Sequence, residues 1–194
     1  MDLIWVLVIA VAYAIGTFPT AQLVGSSTGH DPTTEGSGNP GASNTFRVAG
    51  ARAGAVVLLG DMLKGAVSAG LGWAIDGRTL ACLAGAAAVT GHVLPATRGL
   101  RGGKGVATFG GMAFVLYPFI SLALVALFAI TVKLTRKAAV GSLAMVVVLP
   151  LLLIVFDHRA VEVQIMAAIA ALVVVRHWHN IKRLITRKEH ALRG

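Results

Sequence analysis

Apolar runs long enough to cross a bilayer recur along this chain, at 3–24, 53–75, 79–97, 105–131, 139–156 and 161–175. A membrane helix needs about 20 predominantly apolar residues. Charged residues make up 13% of the chain, about half the share of an ordinary soluble domain. The runs therefore read as spans rather than as the core of a soluble protein. Met1-Asp2 is not a basic leader, and no small-residue cleavage site follows the first run. Residues 3–24 are thus expected to remain as a span.

The formal net charge of +9 would suggest nucleic acid in a soluble protein. Here the positive residues sit between apolar runs, and no basic helix or aromatic-basic platform accompanies them. No nucleic-acid partner is expected. All Lys and Arg except Lys64, Arg78 and Arg159 fall in 26–52, 98–104, 132–138 or the tail from 176. If those segments are cytoplasmic, the N-terminus is outside and the C-terminus inside. That assignment puts both ends of 105–131 on one side. The region must then enter and return, turning near Tyr117-Pro118. Twenty-seven residues are few for two full spans at about 1.5 Å per residue, so one or two helices there should be short or broken. The expectation is an all-α membrane protein of about seven helices in one domain, 1–194. Six ordinary spans, with both termini on one side, is the alternative.

Three polar clusters then share the cytoplasmic face. In "EGSGNPGASNTFR" (35–47), glycines let backbone N–H groups converge and small side chains let a ligand approach. Ser37, Asn39, Ser43 and Asn44 add neutral polar groups, and Arg47 adds a fork suited to phosphate. An anion cradle is expected over a flexible linker. "GHVLPATRGLRGGKGVAT" (91–108) looks like a P-loop but is not one. G-x-x-x-x-G-K-[ST] would require Gly at 98 and Ser or Thr at 105, where this chain has Arg98 and Gly105. A glycine turn with Lys104 opening a helix remains, either as a phosphate site or as a positive-inside anchor. His92 reads as a satisfied histidine at a helix end. In "RHWHNIKRLITRKE" (176–189), His177 and Asn180 are spaced i, i+3 and share a helix face, while His179 points elsewhere. Arg187, Lys188 and Arg193 read as solvated surface.

Asp61 and Lys64 in "GDMLKG" are also i, i+3. An ionisable pair within a span marks function by default, although a neutralising pair that orients the helix explains Asp61 as well. Lys64 would alternatively reach a substrate phosphate. Glu162 is expected at the interface. Cys82, embedded in an apolar run, reads as a small buried residue, with no disulfide or cysteine metal site. No metal or cofactor is indicated. H-x-x-x-x-D and G-x-S-x-G are both absent.

The three clusters, with "GDMLKG" between the first two, resemble the bacterial acyl-phosphate-dependent glycerol-3-phosphate acyltransferases. The likeness runs from about Tyr13 to Glu189, with the motifs in order. Departures are mild: Ser43 stands where Thr is usual, Arg101 where Lys is common, and Leu94-Pro95 in place of Phe-Pro. The resemblance implies an integral enzyme of the bacterial plasma membrane. It would move an acyl group from acyl phosphate to the sn-1 hydroxyl of glycerol 3-phosphate at the cytoplasmic face. Carried over by position, Ser37, Gly38, Asn39, Gly41, Ser43, Asn44 and Arg47 would form a phosphate-binding loop. Gly102, Gly103 and Lys104 would contribute to glycerol 3-phosphate binding. Ser37, Arg47, Lys104, His177 and Asn180 would be the catalytic set, with Asp61, Lys64 and His92 standing behind it. Partners would be the two substrates and membrane lipid; contact with the enzyme that makes acyl phosphate is left open.

Both substrates carry phosphate, which suits two anion cradles. The fatty chain suits an apolar groove open to lipid. Because acyl phosphate has a good leaving group, catalysis would need mainly positioning and charge neutralisation. His177 is one candidate base and a phosphate oxygen of acyl phosphate is the other, favoured here because no carboxylate lies near His177 in sequence. A phosphate-ester transporter or channel is the rival reading. It is weakened by the absence of repeats and by outer loops too short to build a second gate.

Overall fold

The computed structural model describes residues 2–189 and 191; Arg193 and Met1 lie outside the described residues. Among the described residues there is no strand. The helices are α1 (Leu3–Gly16), α2 (Thr20–Thr28), α3 (Ala42–Val93), α4 (Val106–Leu116), α5 (Pro118–Thr135), α6 (Ala138–Val155), α7 (Ala160–Arg176) and α8 (Trp178–Ile185), with a 3₁₀ turn at Ala96–Arg98. Two compact units divide between Leu116 and Tyr117.

In the first unit the opening run is not one helix. α1 ends at Gly16 and α2 starts at Thr20 after Pro19, because proline has no N–H to continue the ladder. α3 is interrupted at Gly50 (φ 87°) and at Asp76–Gly77, where Gly77 has φ 69°. It therefore comprises a short lead-in, 42–49, and two long limbs, 51–75 and 78–93. Trp5 Nε1 donates to Asp76 Oδ2 at 2.6 Å and ties the start of α1 to the second break. Val8 and Ala12 of α1 pack on Leu80 and Ala84 of α3.

Small residues bring the backbones close. A Cβ added to Gly65 would collide with the Thr108 carbonyl, and one added to Gly111 with the Met62 carbonyl. This pair fastens α3 to α4. Membrane helices gain little hydrophobic force from meeting one another, so close backbone approach is what holds them.

In the second unit the break falls where the sequence places it. Tyr117 leaves helical geometry and Pro118 opens α5, so 105–131 contains an 11-residue helix, α4, and a separate long one. The basic stretch 132–138 is not a loop, however. α5 continues to Thr135, and only Arg136 (φ 56°) and Lys137 make the turn. Cationic residues at a helix C-terminus complement its dipole, which lets Lys133 stay helical. α5 exposes Phe119 (85%), Leu122, Ile130 and Leu134 (79%), an apolar surface suited to lipid.

Glu162, in the first turn of α7, is buried within the protein. Tyr117 Oη donates to its carboxylate at 2.7 Å, and His158 Nδ1 lies 3.8 Å away with its ring edge-on to Tyr117. Partners on both sides make a buried carboxylate tolerable.

Candidate functional site

The loop from Gly29 to Gly41 closes around the side chain of Asn44, in the first turn of α3. Asn44 Nδ2 donates to the carbonyls of Pro32 and Glu35, each at 3.0 Å. Its Oδ1 accepts from the Ser37 N–H at 2.9 Å and from Arg47 Nη1 at 3.3 Å. Two donors and two lone pairs are the amide's full capacity. Asn44 is therefore committed to the loop, not to a ligand as its residue type suggests. Gly36 (φ 62°) accommodates it, since a Cβ there would collide with Asn44 Oδ1.

A second brace lies ahead of it. His30 Nδ1 meets Glu35 Oε2 at 2.9 Å, and the Asp31 N–H donates to Glu35 Oε1 at 2.7 Å. The His30 hydrogen bond, then that N–H, hold the Glu35 carboxyl below its ordinary value. Asp31 is lowered likewise by the hydroxyl and then the N–H of Thr33. His30 and Glu35 have the H-x-x-x-x-acid spacing with the longer acid, a pairing that a search for Asp alone overlooks.

Gly41 precedes α3 with no capping side chain. Exposed Ser43 and half-buried Arg47 stand in the opening turns of α3. The second glycine cluster comes to the same place. A Cβ on Gly103 would lie 3.1 Å from the Pro40 carbonyl oxygen. Pro40 lies two residues before α3 begins, and Gly103 three before α4. Half-buried Lys104 stands between Gly103 and Gly105, whose φ of 88° starts α4. The structure thus joins the first two clusters into one floor. The expected residues Ser37, Gly38, Asn39, Gly41, Ser43, Arg47, Gly102, Gly103 and Lys104 lie on the two loops that meet there or in the opening turns of α3. Helix N-termini carry partial positive charge, and with Arg47 on α3 and Lys104 ahead of α4 this neighbourhood suits an anion.

Behind this floor Lys64 Nζ donates to Asp61 Oδ1 at 2.7 Å, and His92 Nδ1 lies 3.6 Å from the same oxygen. All three are buried. Lys64 is turned to Asp61, as in the neutralising-pair reading. The carboxylate's contact with His92 joins residues 31 apart in sequence and has no local signal.

Arg98 belongs to the scaffold. It donates to Gln22 Oε1 and to the Thr17 carbonyl, near 3 Å each, and bridges the α1–α2 break.

In the second unit His177 stands at the bend between α7 and α8, which meet at 58°. It is buried, with Nδ1 at 2.8 Å from the Val173 carbonyl. A carbonyl only accepts, so Nδ1 carries the proton, and in a neutral ring Nε2 is the acceptor. Asn180 is buried too. Its Nδ2 donates to Glu189 Oε1 at 2.7 Å, and Arg183 Nε donates to Glu189 Oε2 at 2.9 Å. Asn180 Oδ1 is buried without a hydrogen-bond partner among the described residues. His179 is exposed, as its position on the helix predicts. Glu189 was not singled out by the sequence; the signal available was a lone carboxylate closing a basic tail.

Comparisons with known proteins agree on one family. A family model for glycerol-3-phosphate acyltransferase matches residues 6–187. The glycerol-3-phosphate acyltransferase of Geobacillus kaustophilus is 36% identical over 184 residues, covering 94% of this chain and 93% of its own. That of Shewanella loihica is 40% identical, covering 97% and 93%. A crystal structure of PlsY (YgiH), an integral membrane glycerol 3-phosphate acyltransferase in its glycerol 3-phosphate form, superposes with a TM-score of 0.93 at 30% identity, covering 96% of this chain and 94% of that one. Its lysophosphatidic acid form gives 0.91.

Proposed function

The chain belongs to the glycerol-3-phosphate acyltransferase family, and we propose that it acylates the sn-1 hydroxyl of glycerol 3-phosphate with acyl phosphate as donor. The observation that carries this reading is the approach of Gly103 to the Pro40 carbonyl, which brings together the segments that open α3 and α4 and carry Arg47 and Lys104. Such a floor takes phosphate, which both substrates bear. Family membership sets the transport reading aside.

In the proposed reaction the sn-1 oxygen attacks the acyl carbon. The new ester C–O bond forms, and the anhydride C–O bond to phosphorus breaks. Phosphate leaves with the electron pair, giving 1-acyl-glycerol 3-phosphate and inorganic phosphate. The hydroxyl proton goes to a phosphate oxygen of the donor, which becomes more basic as it departs. His177, locked through Nδ1 to Val173, is then a positioning hydrogen-bond partner with Asn180. Ser37, Arg47 and Lys104 neutralise and hold phosphate, and Gly102–Lys104 take the phosphate of glycerol 3-phosphate. No metal or cofactor enters this scheme. The site faces the cytoplasm of a bacterial plasma membrane, as the distribution of basic residues supports.

The proton assignment is tested with His177→Gln. Retention of more than about a tenth of turnover, the range beyond which a lost general base shows, supports the phosphate oxygen. Loss of turnover at unchanged substrate binding, together with loss of a pH limb near the histidine pKa, contradicts it.

A further inference from the structure

The glycine loop of the second cluster is moulded on a histidine ring, and that ring is held against an ion pair. The Gly103 N–H donates to the His92 carbonyl at 3.1 Å. A Cβ on Gly103 would collide with His92 Nε2, and one on Gly102 with the His92 carbonyl oxygen. The other ring nitrogen, Nδ1, lies 3.6 Å from Asp61 Oδ1. That is beyond a hydrogen bond but close enough for a carboxylate to orient the ring electrostatically. Lys64 Nζ donates to the same carboxylate oxygen at 2.7 Å and fixes it. Asp61, Lys64 and His92 are 2%, 5% and 6% exposed, so they are shielded from direct contact with a soluble substrate.

The placement along α3 reinforces this. Gly65, next to Lys64, packs against the Thr108 carbonyl in the first turn of α4. One turn of α3 therefore supports both the ring under the loop and the helix that the loop opens. A buried ion pair within one helix adds little stability by itself, since apolar residues of similar size often serve as well or better. Here its carboxylate has a second partner, His92, and that partner shapes the loop.

We infer that Asp61, fixed by Lys64, is a positioning residue for glycerol 3-phosphate: it sets the His92 ring on which Gly102 and Gly103 are shaped. This rests on the assignment of that loop to glycerol 3-phosphate given above. The test is Asp61→Asn, which preserves size and removes the charge. KM for glycerol 3-phosphate should rise roughly tenfold, the scale of one weakened charge-assisted contact. Both kcat and KM for palmitoyl phosphate should stay within about twofold.

Asp61→Asn strands the Lys64 charge and risks misfolding, so the neutral double variant Asp61→Asn/Lys64→Gln is assayed beside it. A raised KM for glycerol 3-phosphate in the double variant, at recovered thermal stability, upholds the inference. Wild-type KM values in the double variant, or in a folded Asp61→Asn, overturn it, because Asp61 would then only neutralise Lys64. A rise confined to palmitoyl phosphate upholds the support of the loop and contradicts the phosphate assigned to it.

Discussion

Asn44 spends its whole amide on the loop around it, so its removal should act through the loop rather than through a lost ligand contact. Asn44→Ala leaves two carbonyls and the Ser37 N–H without partners, at about 1–3 kcal/mol for each buried group that water cannot reach. Asn44→Asp should fail as well, because a carboxylate cannot donate to the Pro32 and Glu35 carbonyls. The measurement is KM for glycerol 3-phosphate and for acyl phosphate, with hydrogen exchange of amides 31–44. Wild-type KM and protection in either variant would contradict the role given to Asn44. Glu35 supplies a pH dependence. Its folded pKa lies below its ordinary value of 4.5, chiefly through His30. The loop should therefore be fully braced above pH 4.5 and loosen as pH falls through the lower folded value. His30→Gln removes the main cause, so loosening should begin at higher pH. Protection of amides 31–37, corrected for intrinsic exchange across a pH series, reads both effects.

At the scale of elements, the spans were legible because long apolar runs and proline breaks act locally. Tyr117-Pro118 parts two helices where the sequence places the turn, whereas the break between Gly16 and Thr20 falls inside the run 3–24 that reads as one span. The extension of α5 through Lys133 to Thr135 was not legible, since basic residues mark a loop or a helix C-terminus equally well. Of the candidate site, the glycine-rich, polar and basic make-up of both loops could be read from residue type. The inward turn of Asn44, the Glu189 clasp on Asn180 and the burial of Glu162 could not, because each depends on where the chain returns in space. The contact of α3 with α4 makes its own prediction. Gly65→Val would drive side-chain atoms into the Thr108 carbonyl and the Met112 amide, and overpacking of this kind costs about 1–3 kcal/mol or more. Its detergent-solubilised form should melt several degrees lower. Gly70→Ala, with nothing near an added Cβ, should melt as the wild type or slightly higher. Equal melting of Gly65→Val and Gly70→Ala would contradict the close approach.

For the whole molecule, the distribution of basic segments predicts an N-terminus outside and the site inside. In a Cys82→Ala background, a membrane-impermeant maleimide should label Leu3→Cys in intact cells and Arg187→Cys only after lysis. The reverse pattern would invert the topology. The central claim is chemical: two helix N-termini, Arg47 and Lys104 hold phosphate so that acyl phosphate meets glycerol 3-phosphate. The most direct measurement incubates the purified protein with glycerol 3-phosphate and palmitoyl phosphate, following inorganic phosphate and lysophosphatidic acid together, with Arg47→Ala alongside. The account predicts equal amounts of both products from the wild type and neither from the variant. Folded wild-type protein that forms no lysophosphatidic acid from palmitoyl phosphate would contradict it.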